Sequence, residues 1–304
     1  MSDDLPIVDA HQHFWDPGGG RYPWLSTHPR PTFRYGDYAA LRRRYFPEDF
    51  RRDTAGHRVV ATVHVEAEWD ETDEVGETRW LAGLRETHGL PTLAVGHARF
   101  ESPEVAEVLA GHARFDFVRG IRQKPTAAEA PADARRGAPG SMDDPRWRRG
   151  YALLERHGLH FDVQTPWWHL DAAADLARDF PRIPIVVNHT GLPADRRPEP
   201  LRAWRRALER VAAQPNVAIK ISGLGQADKS WPVDDNRTIV RDTIAIFGVA
   251  RCMFASNFPV DRLCTSYRAL FDAFKAFVAD RPPAEQRALL HDNAARIYRL
   301  PGPG

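Results

Sequence analysis

Eight short apolar runs rich in β-branched residues recur along this chain, at residues 6–10, 58–66, 91–97, 117–121, 159–164, 183–188, 216–221 and 251–255. The segments between them, at 75–88, 102–110, 145–157, 170–179, 201–213, 237–247 and 266–279, carry apolar residues at helical spacing, often with Gly or Pro just past the end. Strands that alternate with helices build βαβ units and a parallel sheet. Eight such units predict a single (β/α)8 TIM barrel over residues 1–304, a length that one barrel commonly occupies. A doubly wound open sheet is the alternative.

The connections favour the barrel. The long irregular segments, 16–37, 125–141, 190–200 and 223–236, each follow the C-terminal end of a proposed strand, whereas helix-to-strand links such as His157-Gly158 are short. In a barrel that asymmetry marks the face that carries the active site. The Ala/Pro-rich segment 125–141 reads as a mobile lid or an insertion.

Composition removes several other roles. Lys and Arg number 42 against 41 Asp and Glu, a net charge of +1, which supplies no field for a nucleic acid or a membrane surface. The two cysteines, Cys252 and Cys264, are too few for a disulfide framework and read as reduced structural thiols. The acidic opening MSDDLP lacks the basic region of a signal peptide, and no apolar stretch approaches a membrane span, so a cytoplasmic location is expected.

The strand ends hold the chemistry. Ile7-Val8-Asp9-Ala10-His11-Gln12-His13 is a buried-type strand ending in two histidines at i and i+2, a spacing that sends both imidazoles to the same side, toward one metal ion or one substrate. Ile185-Val186-Val187-Asn188-His189-Thr190-Gly191 repeats the pattern with a third imidazole. The eighth run continues into Asn257 and Pro259, and strand eight of a closed barrel lies beside strand one, so Asn257 is expected near His11 and His13.

This order of motifs, an H-x-H on strand one, VNHTG late in the chain and FASNFPVD at the end, resembles the amidohydrolase superfamily, in particular its amidohydrolase-related branch of TIM-barrel hydrolases, similar to sugar lactonases and pyrone dicarboxylate lactonase. The likeness runs from Ile7 to Tyr298. It implies a hydrolase opening a lactone or amide at the C-terminal face, with a divalent metal, zinc or manganese, held by His11, His13 and His189, or a metal-free descendant of that site. It also implies a homodimer. One position departs from the pattern: Asn257 stands where the superfamily places an aspartate that binds metal and acts as general base. A neutral carboxamide cannot take a proton from water near neutral pH. Asp261, four residues on, either substitutes for it or is merely an acid at the start of a helix.

Other strand ends offer polar groups. Alternation puts Thr62, His64 and Glu66 on one side of their strand, and a histidine and a carboxylate facing a barrel interior are either a hydrogen-bonded structural pair or part of the site, with Glu66 a candidate base. Lys220 on the seventh strand needs an anionic partner, which could be Glu66, a substrate carboxylate or a carbamate on the lysine itself. Arg122 ends the fourth strand in a place suited to gripping a carboxylate, or forms a surface ion pair. Gln164 ends the fifth, and Trp167-Trp168 after it, like Trp15 and Trp24, either wall a pocket for a ring or only cap the barrel. His28, His57, His88, His97, His112, His157, His160 and His291 receive no role.

The expected activity is hydrolysis of a small cyclic ester bearing a carboxylate or hydroxyl groups. Arg122, Lys220, His64, Gln164 and Trp167 would bind this anionic small molecule, the strand-end histidines would polarise its carbonyl, and Glu66 or Asp261 would activate water. The competing readings are a non-oxidative decarboxylase and a ligand-binding barrel without catalysis.

Overall fold

A computed structural model describes residues 5–27 and 32–302; His28 lies outside them. Its eight parallel strands are β1 (Ile7–Gln12), β2 (Val59–Val65), β3 (Leu93–His97), β4 (Val118–Arg122), β5 (His160–Val163), β6 (Ile185–Val187), β7 (Val217–Ile221) and β8 (Cys252–Phe254). They pair in sequence order. The principal helices are α1 (Pro47–Asp53), α2 (Gly76–His88), α3 (Val105–Ala113), α4 (Pro145–Tyr151), α5 (Leu170–Asp179), α6 (Pro198–Ala212), α7 (Val233–Phe247) and α8 (Tyr267–Phe277). This is the (β/α)8 barrel.

Each of the eight apolar runs overlaps a strand; six of the strands lie within their runs and are shorter, whereas β1 and β4 continue past theirs to Gln12 and Arg122. Sequence patterning overlooked α1, a seven-residue helix before β2 that starts with Pro47 at its first turn and a carboxylate, Asp49, bonded back to the Phe46 amide.

Side chains segregate by strand parity into two cores. Val8, Ala10, Val63, Val65, Val95, Val186 and Met253 fill the barrel interior, and Tyr298, just past the last helical turn, packs with them. Alternate residues such as Ile7, Ile121, Phe161, Ile185, Ile219 and Phe254 face outward against the helices in a much larger cluster. A doubly buried strand reads as a continuous apolar run for this reason.

Closure between β1 and the segment after β8 uses three backbone contacts: the Asn257 amide donates to the His11 carbonyl at 2.7 Å, the His13 amide donates to the Phe258 carbonyl at 2.7 Å, and Gln12 bridges Phe258 in parallel. The residues that close the cylinder are therefore those of the HQH and SNFP motifs. Segment 125–141, expected as a mobile lid or an insertion, contacts the turn before α5: the Trp168 indole donates to the Ala128 carbonyl at 3.0 Å and the Ala128 amide to His169 at 2.9 Å.

Candidate active site

Five of the residues singled out in the sequence, His13, Arg122, Gln164, His189 and Asn257, line one cavity of about 290 Å³ at the C-terminal mouth of the barrel. Its walls include Trp15, Trp24, Phe33 and Tyr38, and Arg34 and Lys124 join Arg122 to make three cations around it. A wider depression of about 860 Å³ adjoins it across Trp24, Glu68 and Lys124. Glu68 and Lys124 form an ion pair at that boundary.

His13 is held from behind. Its Nδ1–H donates to the Val65 carbonyl at 2.7 Å, which leaves Nε2 with a lone pair, and that nitrogen lies 3.3 Å from Asn257 Oδ1. Asn257 cannot reverse its amide without loss, because Nδ2 donates to Asp261 Oδ1 at 2.7 Å. Two acceptors thus face each other without a hydrogen between them. Burial, followed by Arg122 and His64, pushes the His13 pKa well below the usual histidine range, so the ring is neutral.

Asp261 is fully buried behind Asn257 and also accepts from the Tyr35 hydroxyl at 3.0 Å. Burial raises its pKa to about 6 against the opposing pull of Arg34, whose guanidinium is 4.0 Å away. It does not line the cavity. Its contact with the site runs through the carboxamide it orients.

His189 follows β6, and its Nδ1 lies 2.9 Å from Ser222 Oγ. Its backbone has φ 54°, Thr190 has φ 53° and Asn257 has φ 56°. Left-handed conformations are costly for histidine and more so for a β-branched threonine, and such strain gathers at functional sites. Asparagine and aspartate tolerate this conformation best after glycine, which accounts for the residue type at 257. Gly223, at φ 63°, is required by proximity: a Cβ there would lie 2.7 Å from His189 Nδ1 and 2.8 Å from Arg34 Nη2.

Four sequence expectations change. His64 faces the helix layer, because Val63 and Val65 occupy the interior; its Nδ1 accepts from the Phe14 amide at 3.1 Å and its Nε2–H donates to Glu77 on α2 at 3.2 Å. Both nitrogens are engaged, which leaves nothing for a substrate. Glu66, a candidate base, is bonded to Arg122 Nε through its carboxylate and to Arg122 Nη2 through its carbonyl. Burial alone would raise its pKa, but Arg122, His97 and Lys124 outweigh that and hold it at about 2, too acidic for a base at neutral pH. Lys220 does point into the barrel, yet its anionic partner is Asp162, at 2.7 Å and fully buried, which replaces the three partners considered. Trp167 stacks edge-on against Trp168 and is not among the cavity-lining residues, whereas Trp15 and Trp24 are.

Signals for the missed groups were slight. Asp162 sits on an apolar strand beside Gln164, and Glu77 is an unremarked first-turn acid of α2 whose pKa burial raises to about 8. Arg34 lies in a loop without pattern.

The donors present fit a divalent cation in chemistry: the His13 Nε2 lone pair, Asn257 Oδ1 3.3 Å from it, and the His189 ring, with His11 beneath at ring-centroid distances of 5.0 Å from His13 and 4.6 Å from His189. His11 Nε2 is buried without a hydrogen-bond partner. No three His, Cys, Asp or Glu side chains among the described residues are drawn into a closed ligand group. No helix among them is long and apolar enough to cross a membrane.

Comparisons with known proteins cover nearly the whole chain. A Sinorhizobium fredii protein, y4mH, is 42% identical over 98% of this chain and 99% of its own length. An L-fucono-1,5-lactonase from Burkholderia multivorans is 30% identical, covering 97% of each chain. A zinc-bound amidohydrolase crystal structure from Burkholderia multivorans superposes with a TM-score of 0.79 at 27% identity, over 97% of this chain and 99% of the other. The amidohydrolase family model matches residues 8–300. With an H-x-H strand closing the barrel against the strand-eight loop and nearly its whole length matched, the chain belongs to the amidohydrolase family and is a hydrolase-type enzyme of its amidohydrolase-related branch.

Proposed function

We propose that this enzyme hydrolyses a small lactone carrying a carboxylate or several hydroxyl groups. The observation that carries the reading is the pairing of His13 Nε2 with Asn257 Oδ1, two acceptors 3.3 Å apart at the cavity. One water molecule can donate a hydrogen to each, so that its remaining lone pairs face the ligand. His13, neutral through burial, holds its Nε2 lone pair toward that water and relays a proton from it to the departing alkoxide as the ester carbonyl is attacked, so that no lasting charge is placed on the buried ring. Asp261 acts through Asn257 as a positioning residue.

The cations bind and orient. Arg122 spends Nε and one N–H from each terminal nitrogen on Glu66 and on Gln164, the latter at 3.0 Å. Two of its five N–H groups remain for a carboxylate or for the oxyanion that develops on the carbonyl. Arg34 and Lys124 add positive charge nearby, and Trp15, Trp24, Phe33 and Tyr38 exclude water from one side of a ring. If a divalent ion, zinc or manganese, occupies the site, His13, His189 and Asn257 would hold it and it would supply Lewis-acid polarisation of the carbonyl. The similarity to an L-fucono-1,5-lactonase supports a sugar-acid lactone as the first substrate class to assay.

The test is a panel of sugar-acid 1,5-lactones and carboxylated lactones followed by acid release in a weakly buffered indicator assay, with His13→Ala alongside. Turnover that falls about 10²–10⁴-fold in the variant is expected. Undiminished turnover in His13→Ala, or carbon dioxide as the product in place of a hydroxy acid, would overturn the reading.

A further inference from the structure

The two histidines of the H-x-H motif are bonded in opposite senses, and the cause lies deep in the barrel. His11 Nδ1 is 3.4 Å from Lys220 Nζ. Lys220 is fully buried, and its other polar contact is the Asp162 carboxylate at 2.7 Å. That carboxylate is saturated with donors: Asn188 Nδ2 at 2.6 Å and Lys220 on Oδ1, His160 Nε2 at 2.9 Å on Oδ2, and the Tyr298 hydroxyl at 3.1 Å on Oδ2. Gly120 on β4 makes room for the His160 ring, since any Cβ there would collide with it. So many donors, with no acceptor role left for a protonated acid, keep Asp162 ionised and Lys220 an ammonium. The Tyr298 ring adds a π face 5.1 Å from Nζ.

An ammonium has three donors and no acceptor. It can meet His11 Nδ1 only if that nitrogen carries the lone pair, and a neutral imidazole then bears its proton on Nε2. The ring is therefore neutral as well, since an imidazolium would set an N–H on Nδ1 against the ammonium. His13 is the mirror case, with the Val65 carbonyl taking its Nδ1–H at 2.7 Å and the lone pair left on Nε2.

We infer that the Asp162–Lys220 pair is a positioning device that locks His11 in the Nε2–H tautomer, so that His11 offers the site a hydrogen-bond donor while His13 offers an acceptor. The unpartnered Nε2 of His11 is then a buried N–H under His13 and His189, an uncommon and costly feature that an oxygen of a ligand or of an ordered water would satisfy. His11 in this state has no lone pair to give a cation. A metal bound through its Nε2 would need that proton moved to Nδ1, where an N–H would face the ammonium, or lost altogether to leave an imidazolate; both costs assign any resident ion to His13, His189 and Asn257. This inference does not rest on the lactone reading, since it concerns the enzyme without substrate.

The experiment is two-bond 1H–15N correlation spectroscopy of the full chain labelled with 15N-histidine, at neutral pH, with the His11 signals identified by their loss in His11→Gln. Wild-type His11 is expected to show a protonated, pyrrole-type Nε2 and a pyridine-type Nδ1, and His13 the reverse. Lys220→Met removes the obligate donor and should convert His11 to a mixture or to the Nδ1–H form, leaving the His13 pattern in place. If Lys220→Met does not fold, the double variant Asp162→Asn/Lys220→Met, which buries no lone charge, makes the same measurement. A wild-type His11 already protonated on Nδ1, or a pattern that stays unchanged when Lys220 is replaced, would overturn the inference.

Discussion

Two buried ion pairs lie within one barrel and do different work. Arg122–Glu66 sits where β4 and β2 end, its guanidinium lining the cavity and its carboxylate reaching the adjoining depression. Lys220–Asp162 lies a layer below, fully buried, and reaches toward the site through His11. The residue types suit the places. Arginine at the mouth spreads charge over a fork that serves Glu66 and Gln164 with two N–H groups to spare, whereas lysine in the interior is a compact donor aimed at one carboxylate and one imidazole. The comparison teaches that depth along a strand decides whether a charge opens onto the cavity or meets only buried neighbours.

Removing one partner should break the deeper pair hardest. Lys220→Met leaves Asp162 charged with no route to water, and denaturant unfolding is expected to lose about 3–5 kcal/mol of stability. Arg122→Met should lose less, because Glu66 borders a water-accessible depression. Equal losses would erase the distinction. The reverse ordering applies to ligand binding: Arg122→Met should raise KM for a carboxylated lactone by roughly 10–100-fold while changing KM for its neutral analogue little, the worth of a hydrogen bond to a charged group being about 1.5–3 kcal/mol. A similar rise for both would remove Arg122 from anion recognition.

Acid should sharpen the contrast further. Glu66 has a folded pKa of about 2 against an ordinary 4.5, so its contribution to stability is present above pH 4.5 and is lost as pH falls from 4.5 toward 2. In an Arg122→Met background that acid-labile part should be gone, which pH-dependent unfolding would register as a flatter profile over the same window. The smallest effect is expected at Trp167→Ala: with Trp15 and Trp24 forming the wall, KM should stay within about twofold of wild type. A larger rise would return Trp167 to the pocket.

Much of the molecule was legible in one dimension because its signals are local. An apolar strand buried on both faces must be written as a continuous apolar run, and a chain reversing direction after it must use residues such as Asn257, Thr190-Gly191 and Pro259; hence the eight strands, the barrel, the functional face and the cavity residues His13, Arg122, Gln164, His189 and Asn257 could be named from order and spacing. Tertiary structure decided what those residues meet. Strand alternation was read with the wrong sense at His64, because periodicity alone does not tell which face of a strand is inside; Val63 and Val65 took the interior and turned His64 toward Glu77. The register irregularity of β1 between Asp9 and Gln12 is equally silent in sequence, yet Val8 and Ala10 fill the interior and His11, of opposite parity, still reaches Lys220. Hydrogen-bond partners are farther off still: Glu66 and Arg122 are 56 residues apart, and Lys220 and His11 are 209 apart. Local chemistry determined which side chains arrive at the mouth of the barrel; only closure of the cylinder chose their partners, and with them the ionisation and tautomer on which reactivity depends.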